Sequence, residues 1–130
     1  MGSEMCIRDS DRVGLPYTYG YAAVLDHEAF DKFHSRAIRK FNMVSGEMET
    51  FSFERDTVCG EPIFVSRKDG SAEDDGYVLV YVNDELSDTS KLCVFDATSL
   101  SAGPIAEVPM PHRVPQGLHG SWIDQDVVIR

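Results

Sequence analysis

An all-β fold is predicted for this chain, built from small antiparallel sheets stacked on one another. Three observations carry that reading. About eight short extended runs are separated by polar turn chemistry, no stretch keeps a 3.6-residue apolar period, and the two strongest runs are apolar on both faces. In "YVLVYV", Val78, Val80 and Val82 point one way and Tyr77, Leu79 and Tyr81 the other. In "LCVF", Leu92 and Val94 oppose Cys93 and Phe95. Antiparallel sheets with one wet face alternate apolar with polar residues, so both faces here call for cover. A propeller blade lying between neighbouring blades satisfies that pattern, and a two-sheet sandwich satisfies it badly.

In chain order, "YTYGYAAVL" (Tyr17–Leu25) is the first strand, rich in aromatic and small residues. Arg36–Val44 and Glu47–Phe53 flank Ser45–Gly46 and read as a hairpin. "EPIFVSR" (Glu61–Arg67) runs into the polar connector "KDGSAEDDG". Gly76–Asp84 and Ser90–Ala97 bracket a second polar loop, and Ile105–Met110 and Ser121–Ile129 close the series. No convincing helix and no repeat of fixed period is visible.

The length of 130 residues suits one modest domain, and 42% hydrophobic with 26% charged residues is ordinary for a globular protein. A net charge of -10 without a basic stripe gives no support to nucleic-acid binding. No apolar run approaches the roughly 20 residues that span a bilayer, and no signal-peptide core is visible. Cys6, Cys59 and Cys93 have neither CxxC nor Cys/His zinc spacing, so buried free thiols in a reducing compartment fit better than a disulfide framework. Residues 1–10, "MGSEMCIRDS", resemble a translated sequencing-library adaptor. They are expected to be non-native, with residues 11–130 a segment of a protein that began further upstream.

Four histidines and two acidic features are candidates for chemistry. His27 and His34 lie in "DHEAFDKFH", which is not the HExxH of a zincin, and read as surface residues. His112, bracketed by prolines in "MPHRVP", reads as a turn residue. His119 sits in "VPQGLHGSW", where Pro115, Gly117 and Gly120 permit a tight turn that delivers it to the mouth of a strand. It is either a metal ligand or a buried histidine bonded to a carbonyl. Glu61 opens an apolar strand just before Pro62. It is either solvated or a carboxylate that orients a ligating histidine. "SAEDDG" lacks the alternating ligands of a calcium loop and reads as charged turn residues.

Taken together, "GLPYTYGYA", "GEPIFVSR", "AEDDGYVLVYV", "LCVFDATSL" and "PHRVPQGLHGSW" resemble the C-terminal part of the carotenoid cleavage oxygenases, a family that includes stilbene-cleaving oxygenases and the retinoid isomerase of the eye. The resemblance covers residues 13 to 123, and the combination "EPIFV…EDDG…VPxGxHGxW" is highly specific. It implies the last one to two blades of an incomplete seven-bladed β-propeller, whose axis holds Fe(II) on four histidines. His119 matches the last of these ligands, Glu61 a carboxylate behind a ligating histidine, and Leu118 a position that lines the substrate tunnel. The other three ligands are expected upstream of Asp11. The implied reaction is oxidative cleavage of a carotenoid, apocarotenoid or stilbenoid C=C bond by O2 to two carbonyl products, with this segment inactive alone. The alternatives are a non-catalytic propeller module that binds a partner and an isomerase of the same family. Its partners would be an apolar alkene and O2, with no nucleic acid and with any peripheral membrane contact made through other regions. The expected location is the cytoplasm, or the plastid in a photosynthetic eukaryote.

Overall fold

A computed structural model describes residues 4–7, 14–25, 34–117 and 119–125. Nine strands are present among them: β1 (Glu4–Ile7), β2 (Tyr19–Leu25), β3 (Ser35–Asn42), β4 (Met48–Ser52), β5 (Thr57–Cys59), β6 (Ile63–Ser66), β7 (Gly76–Asp84), β8 (Thr89–Asp96) and β9 (Ala106–Pro109). Among the described residues a 3-10 turn covers Leu100–Ala102. All pairings are antiparallel. They divide into two meanders, β1-β2-β3-β4 and β5/β6-β7-β8-β9, joined where β5 meets β3 through the pair Ser35–Cys59.

Local chemistry accounts for the elements. The β3–β4 hairpin turns on Asn42, whose Oδ1 accepts from Val44 and Ser45 N–H while its carbonyl accepts from Gly46 N–H. Gly46 takes the left-handed φ of 78° that this turn needs. At Gly76 a Cβ would stand 2.2 Å from the Val65 carbonyl oxygen, so only glycine lets β7 start this close to β6. β5 and β6 are one strand with a bulge. Cys59 pairs with Val82 and Ile63 with Leu79, which puts one extra residue on the β5–β6 side. Gly60 N–H still bonds to the Tyr81 carbonyl, but Pro62 has no N–H to continue the ladder. Glu61 is therefore set free from the strand pattern.

The core lies between the two meanders. Val78, Val80, Val82, Cys93 and Phe95 of the second face Ile38 and Tyr21 of the first, with Ala97 and Leu100 closing one end. Phe95 meets Phe51 and Phe53 edge-on, at centroid distances of 5.2 and 6.0 Å, and Tyr21 stacks on Phe64 at 5.4 Å. Among the described residues this is the better-covered face. On the opposite side of β7, Tyr77 and Leu79 are half-buried and Tyr81 is exposed.

The "SAEDDG" loop does more than turn the chain. Glu73 accepts from Thr18 and Tyr19 N–H at the entry to β2. Asp74 pairs with Lys40 at 2.8 Å, and Lys40 also donates to the Ala97 carbonyl and lies over the Tyr19 ring. Asp75 pairs with Arg67. Glu73 and Asp74 clamp the second meander onto the first, which sequence reading missed because their partners stand 34 to 55 residues away, whereas the Asp75–Arg67 pair lies within the second meander.

Other expectations need correction. β1 and β5 were not anticipated; β1 lies within residues 1–10 and is held by backbone pairing to β2. No strand forms over 121–125, and residues 126–129 lie outside the described residues. His34 is not a surface residue: its ring is half-buried, 3.7 Å from Glu85. His27 falls outside the described residues. His112 is exposed in a bend, as expected.

Cys59 and Cys93 are buried and free. Burial pushes their thiols up, Cys59 to about 12 and Cys93 to about 11, from an ordinary 9.0. The unfolded chain releases these protons near pH 9 while the folded chain keeps them, so this part of the stability is complete below pH 9 and is lost as pH rises towards 11 to 12.

Two outcomes are expected. Phe95→Ala should lower the unfolding free energy by about 3–5 kcal/mol in urea titration, whereas Val44→Ala on the exposed turn should stay within about 0.5 kcal/mol. In a Cys6→Ser background, a thiol reagent at pH 8 should label nothing until urea is added, and Tm should fall above pH 9. Rapid labelling of the native chain would contradict the burial of both thiols.

Candidate metal centre

The bulge between β5 and β6 turns Glu61 towards the segment that returns after β9. That segment, a strap described over residues 111–117 and 119–124, runs there without regular structure past β5 and β6. Glu61 is not solvated, since its side chain is only 7% exposed. The strap engages both of its oxygens: Gly120 N–H donates to Oε2 at 3.1 Å, and His119 Nδ1 lies 3.4 Å from Oε1. A carboxylate only accepts, so Nδ1–H donates, and in the neutral ring the Nε2 lone pair is then available.

His119 is 68% exposed on its side chain. It is not a buried histidine bonded to a carbonyl; its partner is a carboxylate and its ring faces open space. Its setting also departs from the expected strand mouth and tight turn. Gly117 and Gly120 do not take a left-handed φ. Gly120 packs closely on Ile63 instead: a Cβ there would stand 2.8 Å from Ile63 Cδ1 and would require that side chain to shift. Leu118 lies outside the described residues.

A cleft of about 220 Å³ adjoins the pair, lined by Glu61, Ile63, Tyr81, Asn83, Val114 and His119 among others. Asn83 and Ser90 were not singled out from sequence. The signal was an Asn and a Ser inside apolar strands, but "VND" and "TSK" look like ordinary strand ends until the register shows the two residues paired across β7 and β8.

The donor set fits one corner of a metal site. A neutral imidazole with Nδ1 on a carboxylate and Nε2 open is the arrangement that ligating histidines adopt. Among the described residues no group of three or more His, Cys, Asp or Glu converges, and the carboxylates of "SAEDDG" are committed to Lys40, Arg67 and backbone N–H groups.

Two antiparallel meanders packed face to face, with a histidine–carboxylate pair where the chain returns to the bulged strand, define consecutive blades of a β-propeller. The chain belongs to the RPE65 (retinal pigment epithelial membrane protein) family, whose model matches residues 1–124. Lignostilbene-alpha,beta-dioxygenase isozyme III of Sphingomonas paucimobilis is 34% identical over 124 residues, covering 89% of this chain and 25% of that protein. Apocarotenoid-15,15'-oxygenase of Synechocystis is 38% identical over 111 residues, covering 85% and 22%. The structure of cobalt-substituted Synechocystis ACO superposes with a TM-score of 0.76 at 36% identity, over 86% of this chain and 23% of that one. The chain thus spans about a quarter of the length of these relatives.

The Glu61 contacts should be separable by substitution. Glu61→Leu removes both acceptors, and hydrogen exchange at Gly120 N–H should rise by about tenfold. Glu61→Gln keeps one acceptor oxygen and should give an intermediate rate. Unchanged exchange in Glu61→Leu would show that the carboxylate does not hold the strap.

Proposed function

We propose that this chain forms part of an Fe(II)-dependent oxygenase that cleaves a C=C bond of a carotenoid, apocarotenoid or stilbenoid to two carbonyl products. The observation that carries the reading is the His119–Glu61 pair, formed between residues 58 apart in sequence, at two positions whose sequence motifs resemble those of the family. Its relatives are carotenoid, apocarotenoid and stilbene cleavage oxygenases.

His119 would hold the iron through Nε2, as one of four imidazole ligands. When bound, Fe(II) on nitrogen ligands supplies the means to activate O2 beside the alkene. The chain's own residues prepare that corner. Glu61 accepts the Nδ1–H hydrogen bond, which would fix the tautomer and strengthen Nε2 as a metal ligand, and Gly120 N–H keeps the carboxylate from turning away. Because the carboxylate stays one shell back, it tunes the ligand without adding charge at the metal. With one such imidazole among its described residues, the 130-residue chain alone is expected neither to retain iron nor to turn over substrate.

The test is a hybrid in which residues 14–125 replace the matching segment of the Synechocystis apocarotenoid oxygenase. Iron content and apocarotenoid cleavage should persist in the hybrid, fall by about 10–100-fold in iron affinity with Glu61→Gln, and disappear with His119→Ala. Survival of both iron and turnover in His119→Ala would make His119 a structural residue and favour a partner-binding propeller instead.

A further inference from the structure

The strap that carries His119 has a second anchor, a buried polar pair on the Tyr81 face of β7 and β8. Asn83 and Ser90 face each other across β7 and β8 and are only 6% and 5% exposed. A Val–Val pair would serve the sheet at this position, and the neighbouring pair on the same face, Tyr81–Leu92, is apolar. The polar pair has a use. Ser90 Oγ donates to Asn83 Oδ1 at 2.5 Å and accepts from Val114 N–H at 2.8 Å.

The directions of these bonds are constrained. A hydroxyl has one proton and two lone pairs. With its proton committed to the Asn83 oxygen, Ser90 turns a lone pair to the strap amide. If Asn83 presented its NH2 instead, Oγ would meet two donors and its own proton would lack this acceptor. Asn83 therefore sets the rotor, and the rotor holds the strap. The neighbouring bonds Met110 N–H to the Ser90 carbonyl and Arg113 to Asp88 fix the strap's start at the same end of β8. Six residues after Val114, Gly120 N–H is caught by Glu61. The stretch holding His119 is thus suspended between Ser90 and Glu61, one on each side of β7.

We infer that Asn83 and Ser90 are positioning residues for His119: by pinning Val114 they set where the strap presents its imidazole to Glu61 and hence to a metal. The metal part rests on the oxygenase reading above; the positioning part does not.

Two measurements separate them. In the 130-residue chain, Ser90→Ala should raise hydrogen exchange at Gly120 N–H as well as at Val114 N–H, by about tenfold, while Val80 and Cys93 N–H stay protected; Ser90→Thr, which keeps the hydroxyl, should restore both. In the hybrid oxygenase, Ser90→Ala should weaken iron binding by about tenfold and lower kcat with KM unchanged, again with rescue by Ser90→Thr. If Ser90→Ala also exposes the β7–β8 amides, Asn83→Asp, which keeps the acceptor oxygen, against Asn83→Leu, which lacks it, makes the same comparison. Unchanged Gly120 exchange after loss of the hydroxyl or the acceptor overturns the inference. A hybrid that never binds iron but shows the exchange pattern sinks the oxygenase reading and leaves the anchor standing.

Discussion

The packing of one β7–β8 face against the first meander is the constraint on which the rest of this structure depends. Val78, Val80, Val82, Cys93 and Phe95 lose almost all contact with water only because Ile38, Tyr21, Phe51 and Phe53 come across from the other meander. Burial of this kind is non-directional and scales with apolar area, so it brings the sheets together without choosing their angle. Polar groups at the edges make that choice. Glu73 on the β2 entry, Asp74 on Lys40 and Lys40 on the Ala97 carbonyl admit one alignment of the two meanders. Lys40 is buried but has a carboxylate and a carbonyl to bond, which is the condition for a buried cation to be tolerated.

The candidate centre inherits its geometry from that alignment. A regular strand from Thr57 to Ser66 would alternate its side chains between the two sheet faces. The extra residue at the bulge and the missing N–H of Pro62 break the alternation at Glu61 and nowhere else in that strand. The strap then has to pass close enough to meet it, and Gly120 makes that approach beside Ile63 without displacing its side chain. Rigid strands thus position a pair carried on irregular backbone, the usual division of labour between scaffold and functional loop.

The half-covered opposite face of β7 belongs to the same logic. Tyr77, Leu79 and Tyr81 alternate with a fully buried valine row, yet they are as apolar as a buried row would be. Blades of a propeller are apolar on both sides because each is packed between two others. The relatives, of which this chain spans about a quarter, carry more than these two meanders.

Much of this was legible from residues alone. Alternation and turn residues located β2, β3, β4, β6, β7, β8 and β9, because strand formation here is decided by local pattern. The motifs around Glu61 and His119 marked both residues, because a Gly-x-Pro inside a strand pattern and a histidine among Pro and Gly are local irregularities. What the sequence could not show was every consequence of contact at a distance. Glu61 looked solvated as readily as engaged until the strap from 58 residues later covered it. The acidic loop looked like a simple turn until Lys40 and the β2 backbone arrived. Asn83 and Ser90 looked like strand ends until the register paired them. By itself the sequence determined an all-β chain and its strand faces, since these follow from periodicity and backbone stereochemistry, while Glu61 and His119 were assigned roles through the resemblance of their motifs to a known family. Only the tertiary structure decided which polar groups are partners, because a buried hydrogen bond depends on where two distant segments meet, and that is set by the packing of whole sheets.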